Sequence, residues 1–287
     1  MRLRPSGADI KAMAKKTKDD IRIIRPEQLP AVELLTGRIH DHAYRPHAHE
    51  EYAIGVVEAG VQRYREPGGT YPAPAGTLYT LNPGDVHAGE AATEAGYHYR
   101  LAYVPENLLH SYLEIEPGAF PSHPHFRQRL TQDPALAREF HRVLASLTDP
   151  ATCRVKAESE LVLTLRALFH RHGELVPKEL PDAGAHAIRR VKEYIKQRAA
   201  EPIPLTEMAE QAGLSRYHFI RVFKKHTGLA PHAYLTQVRV FQAKAAIESG
   251  LPLADAALAS GFADQSHMTR SFKAIFGITP GKVQKHH

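Results

Sequence analysis

Residues 47–60 read HAHEEYAIGVVEAG and residues 76–90 read GTLYTLNPGDVHAGE. His47, His49 and Glu51 alternate, so on a strand their side chains would share one face. His87 follows the Pro83-Gly84 turn and can approach them from a neighbouring strand. Three imidazoles and a carboxylate are a donor set for a divalent metal. The same groups, joined by Tyr52, could instead be polar contacts for a small molecule in a pocket, or simply packing.

A second set of reactive side chains occurs twice. Residues 213–231 read GLSRYHFIRVFKKHTGLAP, and residues 261–280 read GFADQSHMTRSFKAIFGITP. Aligned on Phe223-Lys224 and Phe272-Lys273, the copies share His218/His267, Arg221/Arg270, Gly228/Gly277 and Pro231/Pro280. Such self-similarity marks a duplicated unit. In the first copy Thr206–Ala212 reads as a short helix, Gly213 as a tight turn, and Ser215 as the N-cap of a second helix. Phe219, Val222 and Phe223 share its inward face, leaving Arg216, Tyr217, Ile220, Arg221 and Lys224 around the other side, with Lys225 beside them. The second copy repeats this with Leu253–Ser260, a turn at Gly261 and a helix starting near Asp264. Met268, Phe272, Ile275 and Phe276 face inward there, and Gln265, Ser266, Thr269, Arg270 and Lys273 outward.

An exposed helix braced by a partner helix fits the DNA major groove. Arginine matches guanine O6 and N7, glutamine reads adenine, and flanking lysines hold phosphates. Residues 232–248 read as a connecting helix of 17 residues, about 26 Å long. A rod of that length lets one chain address two successive major-groove faces, about 34 Å apart. Charge agrees. Residues 186–287 hold 15 Lys and Arg against 7 Asp and Glu, a net of +8, whereas residues 1–185 carry −2. A basic third on a near-neutral remainder points to a polyanion.

Residues 188–283 resemble the DNA-binding domain of AraC/XylS-type transcription regulators. The matches are A-x-x-x-G-L-S at 209–215, H-F-I-R-V-F-K-K at 218–225, G-L-A-P at 228–231, Arg239 with Ala243, A-x-x-x-G-F at 257–262, and R-S-F-K through G-I-T-P at 270–280. Residues 38–104 resemble the cupin-like effector domain that many such regulators carry. Metal-holding cupins place a carboxylate further past the second His, where this chain has Ala53 and Ile54. The favoured reading is therefore an effector pocket touched by His47, His49, Glu51, Tyr52 and His87, with no metal and no cofactor. The resemblance implies a transcription activator that contacts RNA polymerase. The competing class is a metal-dependent cupin-type enzyme with an accessory DNA-binding module.

The positioning elements follow from periodicity. YAIGVV (52–57), VQRYRE (61–66) and GTLYTLN (76–82), separated by Gly/Pro-rich turns, predict an antiparallel barrel or sandwich. Residues 126–172 change period. Leu136, Phe140, Leu144 and Leu147, then Val155, Val162, Leu165 and Phe169, predict two amphipathic helices suited to covering the barrel or pairing with a second copy in a homodimer. The expected fold class is α+β in two domains: a cupin-like barrel with trailing helices over 21–172, and an all-α domain with two helix-turn-helix motifs over 186–287. A mobile tail is expected over 1–20 and a linker over 173–185. No apolar run reaches the ~20 residues of a membrane helix, and the lone Cys153 excludes an internal disulfide. A cytoplasmic protein is expected.

Overall fold

The structure, a computed structural model, describes residues 18–115, 122–177 and 183–284. Most of the tail expected over 1–20 lies outside the described residues, but its end does not. Strand β1 (Asp20–Ile24) pairs with β2 (Glu33–Ile39). Further barrel strands are β3 (Tyr52–Glu66), β4 (Gly69–Pro74), β5 (Thr77–Leu81), β6 (Ala88–Ala91) and β7 (Tyr97–Val104), and a short strand over Leu130–Gln132 adds to β5. β3 organises the sheet. Its first half pairs with β5 and β7, and its second half with β4 and β6. The turn expected at Glu58–Gly60 is instead a bulge in this one strand, between Val57 and Ala59. Gly60 there has φ +73°, and a Cβ on it would lie 2.1 Å from the Gly96 carbonyl oxygen. That irregularity bends β3 from one half of the roll into the other.

Helix α1 (Glu106–Tyr112) and two short strands, β8 (Ser122–Phe126) and β9 (Leu130–Gln132), precede α2 (Pro134–Ser146), α3 (Arg154–His172) and β10 (Gly173–Pro177). The helical period expected from residue 126 thus begins only at 134. On α2 the expected stripe is buried: Leu136, Phe140 and Leu144, with Leu147 just beyond, pack on the outer face of β3 through Tyr52, Ile54 and Val56. On α3 the buried face is rotated from the expected one. Ala157, Leu161, Thr164, Leu165 and Leu168 turn inward, and Val155 is 75% exposed. The described parts of the segment expected as linker have regular structure. β10 pairs antiparallel with β8, and helix α4 (Ala183–Arg198) begins before residue 186.

The C-terminal half continues with α5 (Leu205–Ala212), α6 (Arg216–Thr227), α7 (Pro231–Glu248), α8 (Leu253–Ala259), α9 (Gln265–Phe276) and α10 (Pro280–Gln284). Two helix-turn-helix units, α5–α6 and α8–α9, flank α7. Gly213 and Gly261 take φ +68° and +80° in the turns. Ser215 Oγ accepts from His218 N at 3.4 Å, and Asp264 Oδ1 accepts from His267 N at 2.7 Å, so each second helix is capped by a side chain. Arg239 of α7 donates to the Ala199 and Glu201 carbonyls at 2.7 and 2.8 Å, tying the connector to the end of α4.

Candidate nucleic-acid interface and ligand cavity

Amphipathicity orients the recognition helices. Phe219 and Phe223 anchor α6, while Met268 and Phe272 anchor α9, all at most 0% exposed. Burying these rings fixes what points outward. On α6, Arg216, Tyr217, Ile220, Arg221, Lys224 and Lys225 are exposed, as is Ser215 before it. The Arg221 guanidinium lies 5.9 Å above the Tyr217 ring, which steadies it on the surface. On α9, Gln265, Ser266, Arg270 and Lys273 are exposed, and Thr269 is half-buried. The expected DNA-facing sets therefore occupy the outer faces of both helices, with Thr269 at a margin. The 18-residue α7 spans about 27 Å between the two units.

The barrel encloses a cavity whose wall includes Tyr44, Tyr64, Tyr79, Tyr99 and Tyr103, with Gln62, His47 and His87. Tyr44 and Tyr99 share a hydroxyl–hydroxyl bond of 2.7 Å. The Tyr79 hydroxyl donates to Gln62 Oε1, and Gln62 Nε2 donates to the Tyr97 hydroxyl at 3.1 Å. Burial holds these phenols above the usual tyrosine range, so all remain protonated at neutral pH. Tyr64 is 1% exposed and its hydroxyl has no hydrogen-bond partner. Among the described residues no Asp, Glu, Lys or Arg lines this space.

Ile275 and Phe276 from the end of α9 complete the lining of the cavity. Arg45 N donates to the Ala274 carbonyl at 3.0 Å beside them. The enclosed free space is about 50 Å³, room for a few waters only.

Of the five residues expected at the pocket, the structure gathers three. His47, His49 and His87 form a buried cluster with ring centroids 4.5–5.3 Å apart. His47 and His49 precede β3 in irregular chain instead of lying on a strand, and a single bridge pairs His47 with His87. Burial, with His87 close by, pushes the His47 imidazole down to about 3. Burial also lowers His49 and His87, so all three are neutral. Glu51 lies apart, in a cleft with Lys196, Gln237 and Phe241. Tyr52 faces the opposite core, its hydroxyl donating to the Pro124 carbonyl. Side-chain alternation along β3 puts Tyr52 with Ile54 and Val56 on the face toward α2, opposite Ala53 and Val57. The tyrosines were missed, although Tyr97, Tyr99, Leu101 and Tyr103 recur at the period of two that marks one face of a strand.

Comparison with known proteins agrees with this geometry. Residues 29–165 match the AraC-like ligand binding domain and residues 208–286 match a helix-turn-helix domain, together about three quarters of the chain. The chain is 29% identical over 248 residues to YbfI, an HTH-type transcriptional regulator of Bacillus subtilis, covering 82% of this chain and 88% of that one. It is 24% identical to the HTH-type transcriptional activator RhaS of Escherichia fergusonii, covering 89% and 94%. The chain belongs to the AraC/XylS family of transcription regulators. As an AraC-type regulator it is a DNA-binding protein with a ligand-binding domain, and the enzyme alternative finds no support. The fold matches ToxT of Vibrio cholerae, with a TM-score of 0.61 to an apo form at 11% identity, covering 89% of this chain and 97% of that one. A ToxT structure bound to an unsaturated fatty acid matches with a TM-score of 0.59, also at 11% identity, covering 88% and 94%. Among the described residues of this AraC-type chain no helix is long and apolar enough to cross a membrane.

Proposed function

We propose that this regulator is a transcription activator whose two recognition helices read two half-sites on one duplex, under control of a small molecule in the tyrosine-lined cavity. The observation that carries the DNA reading is the pair Arg221 and Arg270, exposed at matching positions of two capped helices on one connector. Packing does not require either guanidinium. Arg221 and Arg270 would read base edges with Gln265, while Lys224, Lys225 and Lys273 hold phosphates and Ser215, Arg216, Tyr217, Ile220, Ser266 and Thr269 frame the contacts. Contact with RNA polymerase, cytoplasmic location and the absence of catalysis belong to the same reading. So does pairing of two copies through the exposed Val155 and Leu163 of α3, which are 75% and 68% exposed.

The effector is compact and uncharged where it meets the phenols, and it presents a hydrogen-bond acceptor to the unpaired Tyr64 hydroxyl. A long acyl chain does not suit a space of about 50 Å³. A ligand of ordinary size needs several times that volume, so it enters only when Ile275 and Phe276 withdraw. Because those residues end a recognition helix, entry and the placement of α9 are one equilibrium. The effector shifts it by the difference of its affinities for the two arrangements.

Selection of bound duplexes from a random pool by the full chain tests the DNA reading. Two half-sites about one helical turn apart are expected. Arg221→Ala and Arg270→Ala should each relax one base position, in different half-sites, by about 1–3 kcal/mol. Equal weakening on every sequence would reduce both arginines to phosphate contacts.

A further inference from the structure

Two histidines of the cavity wall, His47 and His87, and His49 behind them hold more order than packing needs. His47 and His87 come from separate segments that exchange two backbone hydrogen bonds, His47 N to the His87 carbonyl at 3.0 Å and His87 N to the His47 carbonyl at 2.9 Å. This single bridge sets the two residues directly opposite each other. Each then repeats the same local bond. His47 Nδ1 lies 2.7 Å from the Arg45 carbonyl, and His87 Nδ1 lies 3.0 Å from the Asp85 carbonyl. A carbonyl only accepts, so both Nδ1 atoms carry the proton. Nε2 of each ring is therefore the nitrogen with a lone pair. His49 completes the group, with Nε2 3.3 Å from the Tyr103 hydroxyl.

We propose that His47, His49 and His87 form a site for one divalent transition metal of the zinc type, with an open coordination position facing the tyrosine-lined cavity. One nitrogen from each ring lies within 4.8 Å of the others. A tetrahedral ion with bonds of about 2.0–2.1 Å needs nitrogens about 3.3 Å apart, a closure that small ring rotations supply. Imidazole donors suit zinc, copper, iron and nickel. Carbonyl acceptors on the far ring nitrogens are the outer partners that orient metal-binding histidines. Three protein ligands leave a position open. His47 and His87 themselves line the cavity, so that position meets whatever enters it. Glu51 stands outside the group, which leaves an oxygen or nitrogen of the guest as fourth donor. His49 also touches the DNA-binding half, its ring 5.8 Å from that of Phe241 on α7. The metal would thus sit where the sensor meets the connector.

This rests on the cavity being the sensor site, and its test is separate from the DNA reading. The full chain is stripped with chelator and titrated with Co²⁺ while its visible ligand-field bands are followed, then challenged with Zn²⁺. One equivalent of Co²⁺ should saturate an intense band, and Zn²⁺ should abolish it. His47→Gln and His87→Gln, checked by circular dichroism, should weaken binding by more than the roughly 10–100-fold that losing an outer partner costs, and Tyr103→Phe by about that amount. His170→Gln, on the exposed side of α3, should change nothing. Absence of a band in the wild-type chain would overturn the site, as would a band that survives in both folded His→Gln variants. Half-site selection repeated in chelator reports on the regulator independently, so loss of the metal site would leave that reading standing.

Discussion

The two helix-turn-helix units share sequence, caps and turn geometry, yet they meet the sensor domain differently. The first keeps its own core, in which α4, α5, α6 and the start of α7 surround Phe219 and Phe223, and only Ala48 and Val86 of the barrel join it. The second has no separate core. Phe272, Ile275 and Phe276 belong to one apolar cluster that runs into the barrel interior through Ile21, Tyr44, Tyr79 and Tyr103. Charge follows the same division. Lys244 at the second end of α7 is 2.6 Å from Glu33 and 3.0 Å from Glu248, and Arg25 bridges both carboxylates at 3.2 and 2.9 Å. At the first end the direct ties are Gln237 Oε1 accepting from Ala48 N at 2.9 Å and an exposed Lys196–Glu50 pair. Duplication supplied two readers, and only the second is built into the sensor.

The sharpest way to break that asymmetry is to empty each core in turn. Phe223→Ala and Phe276→Ala should each cost about 3–5 kcal/mol in denaturant unfolding. Only Phe276→Ala should also enlarge the barrel cavity and change its uptake of small molecules. Phe276→Leu preserves the fold if alanine does not. Equal effects of Phe223→Ala and Phe276→Ala on uptake would remove the asymmetry. Next comes the ion cluster. Lys244→Met leaves Glu33, whose side chain is 14% exposed, with one partner fewer, a loss on the order of 3 kcal/mol. Hydrogen exchange should then rise in α8–α9 and remain unchanged in α5–α6.

The smallest expected effects lie at the C-caps. Gly228 and Gly277 end α6 and α9 at φ +70° and +73°, and each rests on the barrel. Alanine at either position costs about 1 kcal/mol for its backbone alone. A Cβ on Gly228 would lie 2.7 Å from Val86, and one on Gly277 2.3 Å from Ile21 and 3.0 Å from the Tyr44 hydroxyl. Thermal unfolding should report both losses. Only Gly277→Ala should loosen exchange around the cavity.

The recognition helices were legible because their signals are local. Ser215 and Asp264 announce the caps, Gly213 and Gly261 the turns, and the Phe spacing the buried face. The rotated α3 was harder, since Val155 has the right hydrophobicity but the wrong angle, Val162 and Phe169 reach only the margin of the core, and Thr164 is buried. The cavity was half legible. HAH and the PGDVH turn located three histidines, and the run YAIGVV located the start of β3 at Tyr52, but nothing near Glu51 and Tyr52 says which side of the chain turns toward the cavity. The lining of the barrel cavity by Ile275 and Phe276 was invisible, because their helical spacing is equally satisfied by packing within their own unit. Contacts between residues more than 200 positions apart leave no periodic trace.

The crowding of phenols around the cavity has an optical consequence. The chain contains twelve tyrosines and no tryptophan, so no indole drains the excitation of its phenol rings. Five of those twelve wall the cavity, with hydroxyls bonded to each other, to a glutamine, to His49 or to nothing. Ultraviolet emission from this protein therefore weighs heavily toward the sensor interior. A guest that stacks on these rings, a metal beside them, or the departure of Phe276 would each alter the brightness of the whole molecule, which makes the unlabelled chain a fluorescent gauge of its own occupancy.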